Sequence, residues 1–324
     1  MKKKLLIVDS LHPDAEAILH RHQKKIEWKI VPHSKVKPEI RDAHFLITRS
    51  TCKVDRDLFK RAKNLRLVVM AGAGLDGIDL EAAQSSGVLV TNTREANSTS
   101  AAELSIGLIL CSFRSILPGS LSVKSGDWKK RGSAKIRELY RGNELYEKTL
   151  GVIGLGRVGK RVAERLQAFG MKVLAYDPYL KKENAKPFPL VSLADVLREA
   201  DILSFHVPLT AETREMISRT QLNRMKKRPL IVNTSRGAIV NERDILIALK
   251  KGLISGYAAD VFDQEPLPKS HPFLRHPKIL VTPHLGAQTH EAHRNVSVIA
   301  VQQIMDFLMT GDTSHALKSM KGLS

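Results

Sequence analysis

Two short stretches carry residue types suited to chemistry. In KILVTPHLGAQTHEA, Lys278 to Ala292, the apolar run Ile279 to Val281 reads as a buried strand. Pro283 ends it, His284 follows at once, and Gly286 stands just behind. A histidine at a strand mouth is either a core-edge residue with a satisfied ring or a proton carrier, since imidazole titrates near neutral pH. The second stretch is Gly154-Leu155-Gly156-Arg157-Val158-Gly159, a G-x-G-x-x-G run after an apolar strand and before an amphipathic helix. Gly154 permits the tight turn, Gly156 lets a pyrophosphate approach the backbone, and Gly159 allows close helix–strand packing. The helix start then offers N–H groups and a positive dipole end to phosphates. Roughly 20 residues on, the next strand ends in Asp177, placed to accept hydrogen bonds from ribose hydroxyls and to repel a 2′-phosphate. The expected cofactor is therefore NAD.

The elements that must position these residues follow the α/β pattern. From residue 149, the strands TLGVIG, KVLAYD, DILSFHVP, PLIVNTS, SGYAADVF and KILVTP alternate with helices. Ser192 is a candidate N-cap, and Gly170 and Gly252 close helices. Apolar strands joined by helices imply a parallel sheet covered on both faces. The first hundred residues hold a second set, LLIVD, FLITRS, LRLVVMAG and VLVTN, hence a second α/β unit. LSIGLILCSF reads as a buried helix, too short to span a membrane, and Glu291 to Leu308 as a long closing helix. The segment KKRGSAKIRELYRGNELYEK reads as an exposed excursion.

Composition narrows the function classes. The 324 residues suggest about two domains, and 43% hydrophobic content suits sizeable cores. Two cysteines, Cys52 and Cys111, give no disulfide framework and fit a reducing, cytoplasmic setting. The N-terminal apolar run stops at Asp9, short of the ~7–15 residues a signal h-region needs. The formal charge of +19 raises the question of nucleic acid. Zinc-finger spacing and aromatic-rich RNA-binding motifs are missing, however, and most Lys and Arg are scattered. Neither a nucleic-acid partner, a membrane nor a metal site is expected.

Taken together, LGVIGLGRVGKRVAERLQAFGMKVLAYDPY, VNTSRGAIVNERDILIALKKG, GYAADVFDQEP and VTPHLGAQTHEA resemble the D-isomer-specific 2-hydroxyacid dehydrogenases. Within that family the chain is most similar to the short phosphoglycerate dehydrogenases. The likeness extends through LITRSTCKV, AGAGLDGIDLEAA and NSTSAAELSIGLIL, over nearly the whole chain. It implies two Rossmann-like domains with doubly wound parallel sheets and an active site in the cleft between them. Residues 1–97 plus 290–324 would form the discontinuous substrate domain, and 98–289 the NAD-binding domain. A homodimer through the NAD-binding domain is implied as well. So is a chain that stops short of a regulatory small-molecule domain.

The resemblance also assigns roles. Arg236 would grip the substrate carboxylate, His284 would exchange the hydroxyl proton, and Glu265 would hold the imidazole and raise its pKa. Arg157 and Val158 would lie at the phosphates, and Val207 and Pro208 beneath the adenine. Thr234, Ser235, Asp260 and Gly286 would line the nicotinamide end. On the substrate side the resemblance points to Arg49, Ser50 and Lys53, to the backbone of Ala73 and Gly74, and to Asn97 at a hinge. The expected reaction is oxidation of 3-phosphoglycerate to 3-phosphohydroxypyruvate, a step of serine biosynthesis. Two departures bear on it: Met70 stands where an arginine is frequent, and the stretch after Trp128 is longer than usual. The basic run Lys129 to Arg137 offers charge that could attract a phosphate. The alternatives are a glycerate, glyoxylate or hydroxypyruvate reductase, another D-2-hydroxyacid dehydrogenase, or an NAD-binding corepressor-like protein.

Overall fold

The computed structural model describes residues 2–317. They form two compact units, one built from residues up to Ser98 and from Ala287 onward, the other from Thr99–Gly286.

The first unit, unit 1, holds five parallel strands: β1 (Lys3–Val8), β2 (Ile26–Val31), β3 (Phe45–Thr48), β4 (Leu67–Met70) and β5 (Leu89–Asn92). Their order across the sheet is β2-β1-β3-β4-β5. The runs LLIV, FLI and LVVM in β1, β3 and β4 are buried throughout, as expected of inner strands covered on both faces. Strand β2, IEWKIV, was not among the expected strands. It lies at the sheet edge, where exposed Glu27 and Lys29 interrupt the apolar pattern by which a strand is read. The helix His290–Thr310 returns to this unit and adds Ala300, Val301, Ile304 and Met305 to its core. Within it, buried Gln303 accepts a hydrogen bond from Thr91 at 2.6 Å and donates to the Asn92 carbonyl at 3.2 Å. Met70 is buried in β4 and contributes to this core, so β4 carries no cation at that position.

The second unit, unit 2, holds six parallel strands: β6 (Thr149–Ile153), β7 (Lys172–Tyr176), β8 (Ile202–Phe205), β9 (Leu230–Asn233), β10 (Gly256–Ala259) and β11 (Ile279–Val281). Their order is β11-β10-β9-β8-β6-β7. Strand β11 corrects one expectation, because Ile279 to Val281 are half-buried rather than buried. The strand lies at the edge and pairs only with β10, so one flank lacks a covering neighbour. Local signals place the helices. Ser192 accepts from the Asp195 N–H ahead of the helix Leu193–Glu199, and Gly252, at φ 67°, ends the helix Glu242–Lys251. The apolar stretch forms the helix Ser98–Phe113, which buries Ala102, Ile106, Leu108 and Ile109. The exposed excursion includes a pair of short helices, Asp127–Arg131 and Ser133–Leu139, with Ile136 buried as an anchor.

Each sheet has one place where successive crossovers run in opposite directions, between β1 and β3 in unit 1 and between β6 and β8 in unit 2. Open α/β sheets bind ligands outside the carboxyl ends of strands at such a point. Among the described residues, no single helix is long and apolar enough to cross a membrane.

Candidate active site

The glycine-rich turn lies at the switch point of unit 2. Gly154 follows β6 with φ 90°, and a Cβ there would meet the His206 carbonyl at 2.6 Å and Val207 Cγ1 at 2.7 Å. A Cβ on Gly159 would come within 2.0 Å of the Gly154 carbonyl, so only glycine lets the helix Arg157–Ala168 start against the turn. Gly156 differs, because a Cβ there would meet nothing within 4 Å. It is the N-cap and, as a glycine, brings no side-chain oxygen to the first turn of the helix. Open space beside uncapped N–H donors suits a pyrophosphate, whose oxygens would satisfy them. Arg157 and Val158 open the helix. Asp177 follows β7, and its two oxygens accept from the Leu155 N–H and the Tyr179 N–H, both at 3.0 Å. These bonds fix the carboxylate beside the turn and leave each oxygen capacity for a ribose hydroxyl. Val207 and Pro208 follow β8 across the switch point. These residues fit the cofactor that the sequence suggests.

The second cluster lies beyond β9, β10 and β11. His284 Nδ1 lies 2.7 Å from Glu265 Oε2, while Glu265 Oε1 accepts the Phe262 N–H at 2.9 Å. With Nδ1 donating to a carboxylate, Nε2 is left to exchange a proton. The bond to Glu265 lifts the His284 pKa above its ordinary value. Burial opposes this, the Asp260 charge adds to it and the Arg236 charge works against it. Burial pushes Glu265 up, but the bonds from His284 and the Phe262 N–H, with the charges of His284 and Arg236, outweigh it and hold the carboxyl below its usual range. Arg236 follows β9, and its Nη1 donates to the Ser235 carbonyl at 2.7 Å. Gly237 lets this loop pass against the backbone after β10: a Cβ there would sit 1.9 Å from the Phe262 carbonyl carbon.

Asp260 has a larger part than the sequence indicated. Fully buried after β10, it accepts Thr282 Oγ1 at 2.6 Å, the Leu285 N–H at 2.7 Å and the Gly286 N–H at 2.8 Å. Its carbonyl accepts the His284 N–H at 2.9 Å. These four bonds pin residues 282–286 and hold His284 at φ 56°, a left-handed conformation that an L-residue keeps only when its surroundings impose it. Gly286 is buried within this loop, and Ala101 leaves room beside it. Thr234 spends its hydroxyl on Ser105 at 2.7 Å, while Ser235 bonds the Asn233 side chain through both its N–H and its hydroxyl. Asn233, buried at the end of β9, also donates to the Arg236 carbonyl at 2.8 Å. It organises the Arg236 loop, and sequence reasoning missed it. The only trace was a polar residue closing an apolar strand.

The residues expected to meet substrate fall in unit 1. Arg49, Ser50 and Lys53 follow β3, Ala73 and Gly74 follow β4, and Asn97 stands after β5. Arg49 is half-buried, whereas Ser50 and Lys53 are exposed. The Ala73 carbonyl accepts the Asn92 side chain at 2.9 Å, which fixes the turn after β4.

Residues 106–286 match the family model of the D-isomer specific 2-hydroxyacid dehydrogenase NAD binding domain. The chain belongs to this family. Among curated relatives, it is 41% identical over 308 residues to a D-3-phosphoglycerate dehydrogenase of Methanocaldococcus jannaschii, covering 94% of this chain and 57% of that protein. The chain thus spans little more than half the length of that relative, and about half of the Bacillus subtilis one, of which it covers 49%. Among solved structures, the TT0316 protein of Thermus thermophilus superposes with a TM-score of 0.88 at 31% identity, covering 97% of this chain and 99% of that one. A NAD-dependent formate dehydrogenase of Staphylococcus aureus, solved with NAD, superposes at 0.83 with 26% identity, covering 97% and 98%. The cofactor of the family domain is NAD.

The Glu265–His284 pair makes the pH profile diagnostic. The raised pKa means that the neutral imidazole predominates only above it, so kcat/KM of a reaction in which His284 takes a proton rises with pH through that value, and that of the reverse reaction falls. In Glu265→Gln the charge that lifts the imidazole is gone, and the inflection moves down towards about 6.5, the ordinary value. A profile unmoved by Glu265→Gln would show that the pair does not set the titration.

Proposed function

We propose that the chain is an NAD-dependent dehydrogenase of a D-2-hydroxy acid, with 3-phosphoglycerate as the substrate. The observation that carries the reaction class is the imidazole–carboxylate pair, 2.7 Å apart, with the Arg236 charge felt by both partners. NAD, when bound, supplies the hydride acceptor. His284 takes the hydroxyl proton at Nε2 as the C2–H bond breaks, and returns it in the reduction direction. Glu265 holds Nδ1, fixes the tautomer and stabilises the imidazolium. Arg236 binds the carboxylate and polarises the forming carbonyl, because its planar fork suits paired oxygens. In this reading the unit of Thr99–Gly286 binds cofactor and supplies the proton carrier, and unit 1 binds substrate. The phosphorylated substrate is supported by the relatives of that printed name, which match over 94% of this chain.

We also propose a homodimer through the cofactor-binding unit. Ile116, Leu121 and Val123 on the helix Ile116–Lys124 are 53–54% exposed, and Leu139 is 55% exposed. This is a run of large apolar side chains that a second copy would cover.

Three outcomes are expected. The protein oxidises 3-phosphoglycerate with a higher kcat/KM than D-glycerate or D-lactate, and His284→Gln lowers kcat by about 10²–10⁴-fold while NAD still binds by calorimetry. Near-normal turnover in that variant would return His284 to a core-edge role. Asp177 gives NAD a higher kcat/KM than NADP on one substrate; equal use of NADP would sink this and turn attention to Lys181 and Lys182. Sedimentation of the wild type gives a dimer, and Leu121→Asp shifts it to monomer; a monomeric wild type at micromolar concentration would discard the interface.

A further inference from the structure

The switch point of unit 1 is as suited to a ligand as that of unit 2, and hydrogen-bond donors gather there: a guanidinium, two imidazoles and a hydroxyl. Ser10 and His12 follow β1, Arg49 follows β3, and the helix His290–Thr310 brings His293 to the same place. The Arg49 Nη2 donates to the Ser10 carbonyl at 3.2 Å. Its Nε is buried and has no hydrogen-bond partner among the described residues. His293 Nε2 lies 3.4 Å from Ser10 Oγ, and the His12 and His293 rings stand edge to face with centroids 5.7 Å apart.

The nearby carboxylates are already engaged. Asp9 accepts from the His33 N–H at 3.0 Å and from Thr51 Oγ1 at 2.8 Å, and Asp14 pairs with Arg294. Burial, with the charges of Arg49, His12 and His290, pushes the His293 pKa down, and an anion placed among these groups would raise it. His12 is also the N-cap of the helix Pro13–Arg21. Its Nδ1 accepts the Asp14 N–H at 3.2 Å, which leaves the Nε2–H as a donor. The positive ends of two helices, Pro13–Arg21 and His290–Thr310, thus start beside one half-buried guanidinium and two imidazoles. With Met70 buried, β4 adds no cation to this edge.

We propose that Arg49, Ser10, His12 and His293 form an oxyanion subsite at the carboxyl ends of β1 and β3, which takes the phosphate of a phosphorylated 2-hydroxy acid. The assignment of that phosphate rests on the function proposed above. The carboxyl end of β4, where the Ala73–Gly74 turn lies, is one strand away from β3, a spacing of about 4.8 Å. A small acid with a phosphate at one end therefore finds backbone donors and the side-chain donor cluster on neighbouring strands. Arg49 supplies its fixed charge and remaining N–H donors, His12 its Nε2–H, and His293 a second imidazole donor.

The test uses the full chain and two unreactive probes, inorganic phosphate and glycerol 3-phosphate, titrated by calorimetry without NAD. Both probes bind the wild type. His12→Asn, which keeps an N-cap oxygen, combined with His293→Gln, weakens them by about tenfold or more, as loss of charge-assisted hydrogen bonds should. Arg49→Gln does the same. By NMR, phosphate raises the His293 pKa against the surrounding Arg49, His12, His290 and Arg294, with Asp9 and Asp14 the neighbouring acids; a merely structural histidine would not respond. In turnover, the double variant lowers the ratio of kcat/KM for 3-phosphoglycerate to that for D-glycerate by a similar factor. Probe binding that is absent, or that is unchanged in both variants, overturns the subsite even if phosphoglycerate is oxidised. Loss of probe binding in Lys129→Ala/Lys130→Ala/Arg131→Ala, with the histidine variant unaffected, overturns it too and moves the anion to that basic segment. Phosphate binding that needs the histidines, without turnover of 3-phosphoglycerate, keeps the subsite and overturns only the substrate proposed above.

Discussion

The Asp260 carboxylate is the constraint on which the catalytic geometry depends. A buried carboxylate is costly unless its lone pairs are met, and here three donors from the loop 282–286 meet them. The loop in turn cannot relax, because leaving would strip a buried anion of its partners. His284 therefore keeps a left-handed backbone and a fixed approach to Glu265. A carboxylate outside the proposed chemistry thus holds the proposed proton carrier in place.

Around that anchor, Arg236, Glu265 and His284 hang from three neighbouring strands, β9, β10 and β11, and each is held by a further polar group. Asn233 ties down the loop of Arg236, the Phe262 N–H orients Glu265, and Asp260 sets His284. The opposing charges also tune one another. Glu265 lifts the His284 pKa while Arg236 restrains it, so the two charges set that imidazole's titration against each other. The cofactor turn at β6 uses steric exclusion instead, with Gly154 and Gly159 required by backbone contact and Gly156 left with space around it.

Much of this was legible in the sequence because it is written locally. The G-x-G-x-x-G run, the inner strands and the caps at Ser192 and Gly252 each carry their signal within a few residues. Strand β2 was missed because its edge position lets Glu27 and Lys29 dilute the pattern, and β11 was read as buried because three apolar residues cannot reveal which strands flank them. Long-range polar bonds were the least legible. Nothing near Asp260 in the chain says that its partners lie some two dozen residues on, and nothing near Ser10 announces His293. Arg236, Glu265 and His284 were found through family likeness; their spacing in the chain does not by itself predict the Glu265–His284 bond.

The edge position of β11 has a consequence for local stability. A strand paired on one side only belongs to the part of a sheet that opens first, at a free energy below that of global unfolding. His284, the proposed proton carrier, is thus suspended from an edge of its sheet, whereas the glycine-rich turn is rooted in β6, flanked on both sides by β7 and β8. The two functions sit in different cooperative segments. Fraying at β11 would displace His284 while the dinucleotide cradle stayed folded, so the amides of residues 279–286 are expected to exchange before those of residues 149–154.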